Sequence, residues 1–391
     1  MEEQIKTLLD NFEAYFQGQA DIVASCGGRF EILGNHTDHN HGLCIASACN
    51  LQIMAAARKR KDTQINLKSL GYPMDELDVS DLSMHQEEKE HSASLIRGIA
   101  YYLDKHGYKI GGFDAYTIST IFRGAGVSSS AAFELLVAHL FNVFFNEGNV
   151  PHMVLCKAGQ FAENEYFGKK SGLLDQIGVG FGGVVQMDFK DIDNPTVEQI
   201  EFPFDNLHFL LINTGGDHSS LSNLYSSIPS DMIFAANEMK KRFLVEGSLE
   251  ELESVKHNLT DIQYSRSVHF YTENKRVRNA MDALKNKDEQ AFLDAINESR
   301  LSSTNNLKNM MVENQYEGSP LQACDLFMKA TNNHGAIKIN GGGFAGSVIG
   351  VIQDEYLDKA IKELSKKYGK DNVIEIFIRK DGPITLYNLK R

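Results

Sequence analysis

The chain has 391 residues, of which 42% are hydrophobic, so it can bury a large core, and its length favours about two domains. Its 52 acidic and 39 basic residues give a net charge of −13, which disfavours general binding to nucleic acid or to an anionic membrane surface. The five cysteines are odd in number and form no C-x-x-C pair, which argues against a disulfide framework or a zinc ribbon and favours a reducing compartment.

The first part of the chain alternates between helical and strand patterns. An acidic amphipathic start, unlike a signal peptide, predicts a helix over residues 5–16. Strand patterns follow at 22–24 and 30–33, interrupted by two glycines, and again at 43–48 and 53–57. Since no apolar run is as long as a membrane span, we expect a soluble, cytoplasmic protein.

The segment 28–42 is too polar for a strand interior, because it contains two carboxylates, one arginine, three histidines and three glycines. We expect it to form a surface or cleft loop. His36, Asp38, His39 and His41 are residue types that bind metals, so the site of a metal hydrolase is one interpretation. The segment lacks the helical H-E-x-x-H spacing, and a solvated turn is another.

A glycine-rich turn at 124–130 stands before the apolar run 135–145, which predicts a loop that opens a buried helix. The first amides of a helix have no partners within it, so this turn is suited to a phosphate. One hydroxyl is enough for a cap, and three consecutive serines leave oxygens for a phosphate or a magnesium ion. No G-x-x-x-x-G-K-[ST] motif is present, since the nearest approach, residues 168–171, has Glu163 where the first glycine should be.

A second glycine-rich stretch, residues 171–180, follows a predicted helix over 152–167 and contains Asp175. Leucine and isoleucine side chains flank Asp175, and a carboxylate in such surroundings is costly to bury unless it is paired. Arg29 is a candidate partner.

A polar stretch at about 190–195 suggests a boundary between an N-terminal domain, residues 1–192, and a C-terminal domain, residues 193–391, although a loop within one domain is the alternative. Helical patterns occupy most of 230–333. A strand then runs into a glycine turn at 337–347, and the strand–helix–strand pattern of 348–378 favours an α+β half.

Three motifs together resemble the GHMP family of small-molecule kinases, and within it the galactokinases. They are the segment 28–42, the phosphate loop 124–132 and the glycine motif 341–346. The first is similar to the galactokinase signature G-R-x-N-L-I-G-E-H-T-D-Y-N-G-G. Its matching residues are Arg29, Gly34, His36, Thr37, Asp38, Asn40 and Gly42. Further matches, which extend the similarity over nearly the whole chain, are Ala162-Glu163, Gly172-Leu-Leu-Asp-Gln176, His269, Glu273, Arg276, Val277 and Asn297-Glu-Ser299.

The resemblance implies a two-domain α+β fold of the GHMP-kinase type, with mixed sheets, helices and a ferredoxin-like C-terminal half. It also implies an enzyme that uses ATP and Mg²⁺ to phosphorylate a sugar at its anomeric hydroxyl, with galactose as the first expectation for the substrate. We expect a monomer with a small-molecule substrate and no nucleic-acid or membrane partner.

The resemblance further assigns roles to individual residues. Asp175 acts on the anomeric hydroxyl, Arg29 stabilises the transferring charge, and Ser130 and Glu163 hold magnesium. The ATP phosphates are bound by Gly124, Ala125, Gly126, Val127, Ser128, Ser129 and Ser130. The sugar site is lined by Asn35, His36, Thr37, Asp38, Gly172 and Tyr225. Phosphoryl transfer asks mainly for positioning and charge neutralisation, and Asp175 beside Arg29 should stay ionised as a weak base.

The departures from the family concern the sugar more than the reaction. Asn35 stands where galactokinases carry Glu, Glu31 where they carry Asn, and Gly27 where they carry Pro; His39 and His41 replace Tyr and Gly. Replacing Glu by Asn removes a charge and adds donors. A 1-kinase for galacturonate, an N-acetylhexosamine or arabinose is therefore an alternative, and so is a non-catalytic sensor of sugar and ATP.

Overall fold

The computed structural model describes residues 2–122, 124–215 and 221–389, which form two β-sheets with helices packed against them. The strands are β1 Ile22–Leu33, β2 Leu43–Lys59, β3 Gln64–Ser69, β4 Met74–Asp78, β5 Phe113–Ser119, β6 Val184–Asp188, β7 Thr196–Ile200, β8 Leu207–Asn213, β9 Ala336–Asn340, β10 Ser347–Gln353, β11 Val373–Ile376 and β12 Ile384–Asn388. The helices are α1 Glu2–Phe16, α2 Ser92–Lys105, α3 Ser129–Asn146, α4 His152–Phe161, α5 Leu174–Gly180, α6 Ser222–Glu238, α7 Leu249–Ser254, α8 Asp261–Asn286, α9 Glu289–Ser302, α10 Pro320–Ala330 and α11 Asp354–Tyr368. None of the helices in these ranges is long and apolar enough to cross a membrane.

The larger sheet has the strand order β12-β1-β2-β5-β3-β4, and β6 and β7 extend it beside β2. The first half of β2 pairs with β6 and its second half with β5, so this one long strand joins the two parts of the sheet. The predictions of two separate strands at 43–48 and 53–57, and of another break within 22–33, are therefore wrong. Both regions are single strands because each continues to pair with its neighbours through its polar or glycine residues.

The strand β1 contains irregularities where the sequence suggested an interruption. Its pairing with β2 shifts register between Gly27 and Arg29 and again between Glu31 and Leu33. Such bulges change the direction of side chains without ending a strand. The prediction of a surface or cleft loop at 28–42 is therefore wrong for residues 28–33, which are buried in β1.

Helices cover both faces of the larger sheet. One face carries α2, α3, α4 and α5, with apolar side chains such as Leu136 and Phe141 in the core. The opposite face carries α1, whose Leu8 and Phe12 pack against Met54 of β2. Helix α3 is thus anchored in the core, while the glycine-rich turn before it lies at its N-terminus.

The smaller sheet has the order β11-β8-β10-β9, with all neighbours antiparallel. Along the chain its elements run β8, helices, β9, β10, α11 and β11, which is the β-α-β-β-α-β arrangement of a ferredoxin-like fold. The α+β prediction and the ferredoxin-like C-terminal half are confirmed. Strand β12 returns to pair with β1, and the boundary at residue 192 stays a prediction.

Candidate active site

Three glycine-containing segments that are distant in sequence converge around the side chain of Arg29. The Nη1 atom of Arg29 donates to the carbonyl oxygen of Gly126 at 2.8 Å, and Nδ2 of Asn340 donates to the same oxygen at 3.0 Å. The backbone amide of Arg29 donates to the carbonyl oxygen of Val127 at 2.9 Å. A Cβ atom on Gly28 would lie 2.4 Å from that Val127 oxygen, so a glycine is required where β1 approaches the glycine-rich turn.

Asp175 is paired with Arg29, the candidate partner suggested by the sequence. Its Oδ1 atom accepts a hydrogen bond from Nε of Arg29 at 2.8 Å, and its Oδ2 atom accepts one from Oγ of Ser128 at 2.5 Å. Burial alone would raise the pKa of Asp175, but the Arg29 guanidinium and the Ser128 hydroxyl outweigh it and keep the pKa below its ordinary value. The side chain of Asp175 remains 35% exposed, so this ionised carboxylate can be reached from solvent.

Each of the three motifs contains a non-glycine residue with a positive φ angle. These residues are His36 at 57° and His41 at 63° in the first motif, Ser128 at 55° in the second and Phe344 at 59° in the third. Such conformations cost roughly 1–3 kcal/mol each and persist only where the surroundings impose them. At Ser128 the strained backbone directly precedes α3 and directs the hydroxyl onto Asp175.

Glu163 lies in a π-helical turn, Ala162–Phe167, that continues α4. Its Oε1 atom accepts from Oγ of Ser130 at 3.3 Å and from Nζ of Lys169 at 2.6 Å. Its Oε2 atom accepts from Oγ of Ser171 at 2.5 Å and from Nε2 of Gln176 at 3.3 Å. Carboxylate and hydroxyl oxygens are the ligands that Mg²⁺ prefers, so Ser130 and Glu163 fit the predicted magnesium site.

Glu134 is a member of this cluster that sequence reasoning missed. It is fully buried in α3, and its Oε2 atom accepts from Nε2 of Gln176 at 2.9 Å, so Gln176 bridges Glu134 and Glu163. Burial, together with the nearby Glu163 carboxylate, raises the pKa of Glu134 well above its ordinary value. The available signal was a lone glutamate at the start of the apolar run 135–145.

Asn35 belongs to the segment 28–42, which we call the sugar motif, and both polar atoms of its side chain are hydrogen-bonded. Its Nδ2 atom donates to the carbonyl oxygen of Gly341 at 2.7 Å and to Oε1 of Glu31 at 3.1 Å. Its Oδ1 atom accepts from Nδ2 of Asn309 at 2.8 Å. Glu31 in turn accepts from Nζ of Lys338 at 2.7 Å, and this ion pair is almost completely buried. The carboxylate in this cluster is thus at position 31, in β1, and position 35 carries an amide that bonds to it.

Thr37 and His36 are also buried and hydrogen-bonded to backbone groups. The Thr37 hydroxyl lies 2.9 Å from the carbonyl oxygen of Gly34 and 2.8 Å from that of Leu43. Nε2 of His36 donates to the carbonyl oxygen of Gly342 at 2.8 Å, which leaves Nδ1 to accept from Nε2 of His39 at 3.2 Å. Burial, with His39 beside it, lowers the pKa of His36 to about 3.

The other residues predicted to line the sugar site are more accessible. Asp38, Gly172 and Tyr225 are all partly exposed. A Cβ atom on Gly172 would lie 2.6 Å from Oδ2 of Asp38, so these two residues are in close contact. The Tyr225 hydroxyl donates to the carbonyl oxygen of Gly343 at 2.6 Å, which brings the third motif to the same place.

The four candidate metal ligands of the hydrolase interpretation are not gathered around one point. Nε2 of His39 lies 3.5 Å from Oδ1 of Asp38, but the ring of His41 stacks on Phe243 with the ring centroids 3.9 Å apart. Among the residues that the structure describes, no group of three or more His, Cys, Asp or Glu side chains is arranged to hold a metal ion.

Side chains of helix α8 bond the backbone of the sugar motif. Oε1 of Glu273 accepts from the backbone amide of Gly34 at 3.0 Å, and Oε2 accepts from Nε of Arg276 at 2.7 Å. Nε2 of His269 bonds the carbonyl oxygen of Asn35 at 2.9 Å. Burial would raise the pKa of Glu273, but Arg276 and the other polar partners lower it to about 2. The family-matching residues of α8 thus hold the backbone of the loop.

Two family models and several curated relatives match this chain. Residues 10–59 match the galactokinase galactose-binding signature, and residues 94–183 match the GHMP kinases N-terminal domain. The galactokinase of Clostridium tetani is 30% identical over 88% of this chain and 87% of its own, and that of Fusobacterium nucleatum is 28% identical over 95% and 96%.

Solved structures share the fold. The crystal structure of Lactococcus lactis galactokinase complexed with galactose has a TM-score of 0.83 and 23% identity, over 98% of this chain and 100% of that one. A mevalonate kinase has a TM-score of 0.65 and 16% identity, over 92% and 100%. With a relative that is 30% identical over most of both chains, the protein belongs to the galactokinase family of the GHMP kinases.

Proposed function

We propose that this protein transfers the γ-phosphoryl group of ATP to the anomeric hydroxyl of galactose, giving galactose 1-phosphate and ADP. The observation that carries the proposal is the placement of Asp175, an ionised and accessible carboxylate bonded to both Arg29 and Ser128 of the glycine-rich turn. A sugar hydroxyl at Asp175 lies next to a turn suited to the phosphates of ATP. The curated relatives named above, which are galactokinases, support the same reaction.

In this reaction a bond forms between the sugar hydroxyl oxygen and the γ-phosphorus, and the bond from that phosphorus to the bridging oxygen of ADP breaks. The hydroxyl proton passes to the Asp175 carboxylate and then to water. Because the pKa of Asp175 is held low, it is a weak base, which suits a loose transition state in which the proton leaves late. Arg29 neutralises part of the charge while it keeps Asp175 in place.

Magnesium is the expected companion of ATP in this site. Ser130 and Glu163 would hold it, and it would neutralise charge on the phosphate oxygens. Residues 124–130 would enclose the phosphates at the N-terminus of α3. Residues 1–192 would form the domain that carries these groups, residues 193–391 the domain that closes the sugar motif, and the protein would act as a cytoplasmic monomer.

Within the predicted sugar site, burial separates two kinds of residue. Asp38, Gly172 and Tyr225 are partly exposed, and we expect them to touch the sugar. Asn35 and Thr37 are buried with engaged side chains, and we expect them, with His36, to hold the shape of the loop. The first group would give direct contacts and the second would act through the backbone.

A 1-kinase for a related sugar is the second candidate, and the exchange of Glu and Asn between positions 31 and 35 favours it. Position 35 has an amide where the family signature has a carboxylate, and this amide is already hydrogen-bonded to Glu31, Gly341 and Asn309. A sugar with a different group facing position 35, such as galacturonate, an N-acetylhexosamine or arabinose, would lose less binding free energy than galactose from the missing carboxylate.

The test is ADP release with a panel of these sugars and Mg-ATP, with phosphorus NMR to locate the phosphate on the product. Galactose 1-phosphate as the preferred product would support the proposal, and preference for another sugar would move the assignment to that 1-kinase. Binding of sugar and ATP without turnover would favour the sensor. The variant Asp175→Asn, purified in parallel, controls for contaminating kinases.

A further inference from the structure

Lys169 places a cation on the carboxylate assigned to magnesium. Its Nζ atom lies 2.6 Å from Oε1 of Glu163, the oxygen that also accepts from Ser130. The other oxygen of Glu163 is closed by the neutral donors Ser171 and Gln176. The ammonium therefore occupies the one side of Glu163 that faces the serine of the phosphate loop.

The backbone of Lys169 is hydrogen-bonded, whereas most of its side chain is exposed. The amides of Gly168 and Lys169 both donate to the carbonyl oxygen of Glu163 at 3.0 Å, at the end of the π-helical turn. The Lys169 side chain is 58% exposed, whereas that of Glu163 is only 4% exposed. A lysine has a flexible four-carbon stem, so its ammonium can move several ångströms about this fixed point without disturbing the core.

The charges of the site indicate where the ammonium goes. Arg29 is committed to Asp175 and to a backbone carbonyl, whereas Lys169 has Glu163 as its counter-charge. If Ser130 and Glu163 hold a magnesium nucleotide, the ammonium would have to leave Oε1 of Glu163, because two cations would not share that oxygen favourably. The phosphate chain of the same nucleotide would then be the negative charge available to the ammonium, besides the Asp175 carboxylate, which also attracts Lys169 but is paired with Arg29.

We propose that Lys169 is a phosphate-binding residue, which rests on Glu163 in the free protein and moves onto the phosphate chain when the magnesium nucleotide binds. The inference rests on the proposed kinase function. The sequence Gly168-Lys-Lys-Ser171 is not a P-loop motif, but its Lys169 lies on the carboxylate that also bonds Ser130 of the phosphate loop.

The adjacent Lys170 is a matched control. It pairs with Glu165 at 2.9 Å, and both side chains are exposed, at 76% and 46%. The variants Lys169→Met and Lys170→Met remove the same charge from neighbouring positions of one loop. Lys169→Arg keeps the charge in a different shape.

The test is calorimetric binding of the magnesium complex of β,γ-imido-ATP to each protein, followed by steady-state kinetics on the preferred sugar. We expect Lys169→Met to raise the dissociation constant about tenfold, as for one lost charge-assisted hydrogen bond, and to lower kcat as well. Lys169→Arg should recover part of the affinity, and Lys170→Met should bind as the unmodified protein does.

Unchanged nucleotide affinity and kcat in Lys169→Met, with a lowered melting temperature, would overturn the proposal and leave Lys169 as a structural partner of Glu163. Equal losses in Lys169→Met and Lys170→Met would also overturn it, because the effect would then be one of general charge. If the unmodified protein phosphorylates no sugar but Lys169→Met still weakens nucleotide binding, the kinase assignment fails and the phosphate-binding role of Lys169 stands.

Discussion

The exchange of Glu and Asn between positions 31 and 35 can be examined by reversing it one residue at a time. Glu31→Asn removes the counter-charge of Lys338, whose side chain is 1% exposed. Asn35→Glu places a second carboxylate where Nδ2 of Asn35 now lies 3.1 Å from Oε1 of Glu31. The double variant has one carboxylate and one lysine, as the natural chain does, but with the carboxylate at position 35.

The structure sets the size of each effect. Breaking a buried ion pair by removing one partner costs about 3–5 kcal/mol, since an uncompensated charge is left behind. Two adjacent buried carboxylates cannot both ionise, and protonating one with an ordinary pKa of about 4.3 at pH 7 costs about 3.7 kcal/mol. The double variant leaves Lys338 with one carboxylate nearby and does not place two carboxylates side by side, so it avoids much of both costs. We therefore expect the two costs to be non-additive by about 2 kcal/mol or more.

The assay is urea unfolding of the four proteins at pH 7, followed by far-ultraviolet circular dichroism because the chain has no tryptophan. Glu165→Gln, which removes a carboxylate from an exposed pair, should cost less than about 1 kcal/mol and serves as the control. Costs of Glu31→Asn and Asn35→Glu that simply add in the double variant would refute the idea that positions 31 and 35 are compensated partners.

Three further changes test other parts of the site and the fold. Asp175→Asn should lower turnover by about 10² or more if the carboxylate takes the proton, and an unchanged rate of ADP release would exclude that role. Both ring nitrogens of His208 bond carboxylates, which outweighs burial and raises its pKa, so its stabilising contribution is complete below pH 6.5 and is lost as pH rises through the raised value. His208→Gln should thus cost about 1 kcal/mol at pH 6 and less at pH 9 in thermal unfolding. A Cβ on Gly126 would lie 2.3 Å from Oγ of Ser347, so Gly126→Ala should weaken nucleotide binding about tenfold, whereas Gly148→Ala, with a similar φ and open space, should not.

Local patterns in the sequence were sufficient to predict most elements. The helix at 5–16, the buried helix after the glycine-rich turn and the strand–helix–strand end all correspond to observed elements, because each has a clear apolar pattern. The pairing of Arg29 with Asp175 was also predictable, since a carboxylate among leucines needs a cation.

What could not be predicted depends on partners that are remote in sequence. The polarity of the segment after Gly28 predicts a loop, but Glu31 is buried in a strand because it pairs with Lys338, which lies 307 residues away. Lys169 belongs to a segment whose spacing does not fit a P-loop, and only the π-helical turn at Ala162–Phe167 brings it back to Glu163. No periodicity in the local sequence indicates either contact, so both become visible only in the folded structure.

The two ion pairs of the site differ in a way that follows from their chemistry. Arg29 is 8% exposed, and its planar guanidinium bonds Asp175 and the carbonyl oxygen of Gly126 together, so it is fixed. Lys169 is a point charge on a flexible stem, and it is mostly exposed. An arginine that stays keeps Asp175 ionised until the carboxylate takes the proton of the sugar hydroxyl. A lysine that leaves can neutralise Glu163 in the free protein without blocking magnesium once the nucleotide arrives. The residue type at each position therefore matches the proposed division between a permanent partner and an exchangeable one, and Lys169→Arg is the variant that separates charge from mobility.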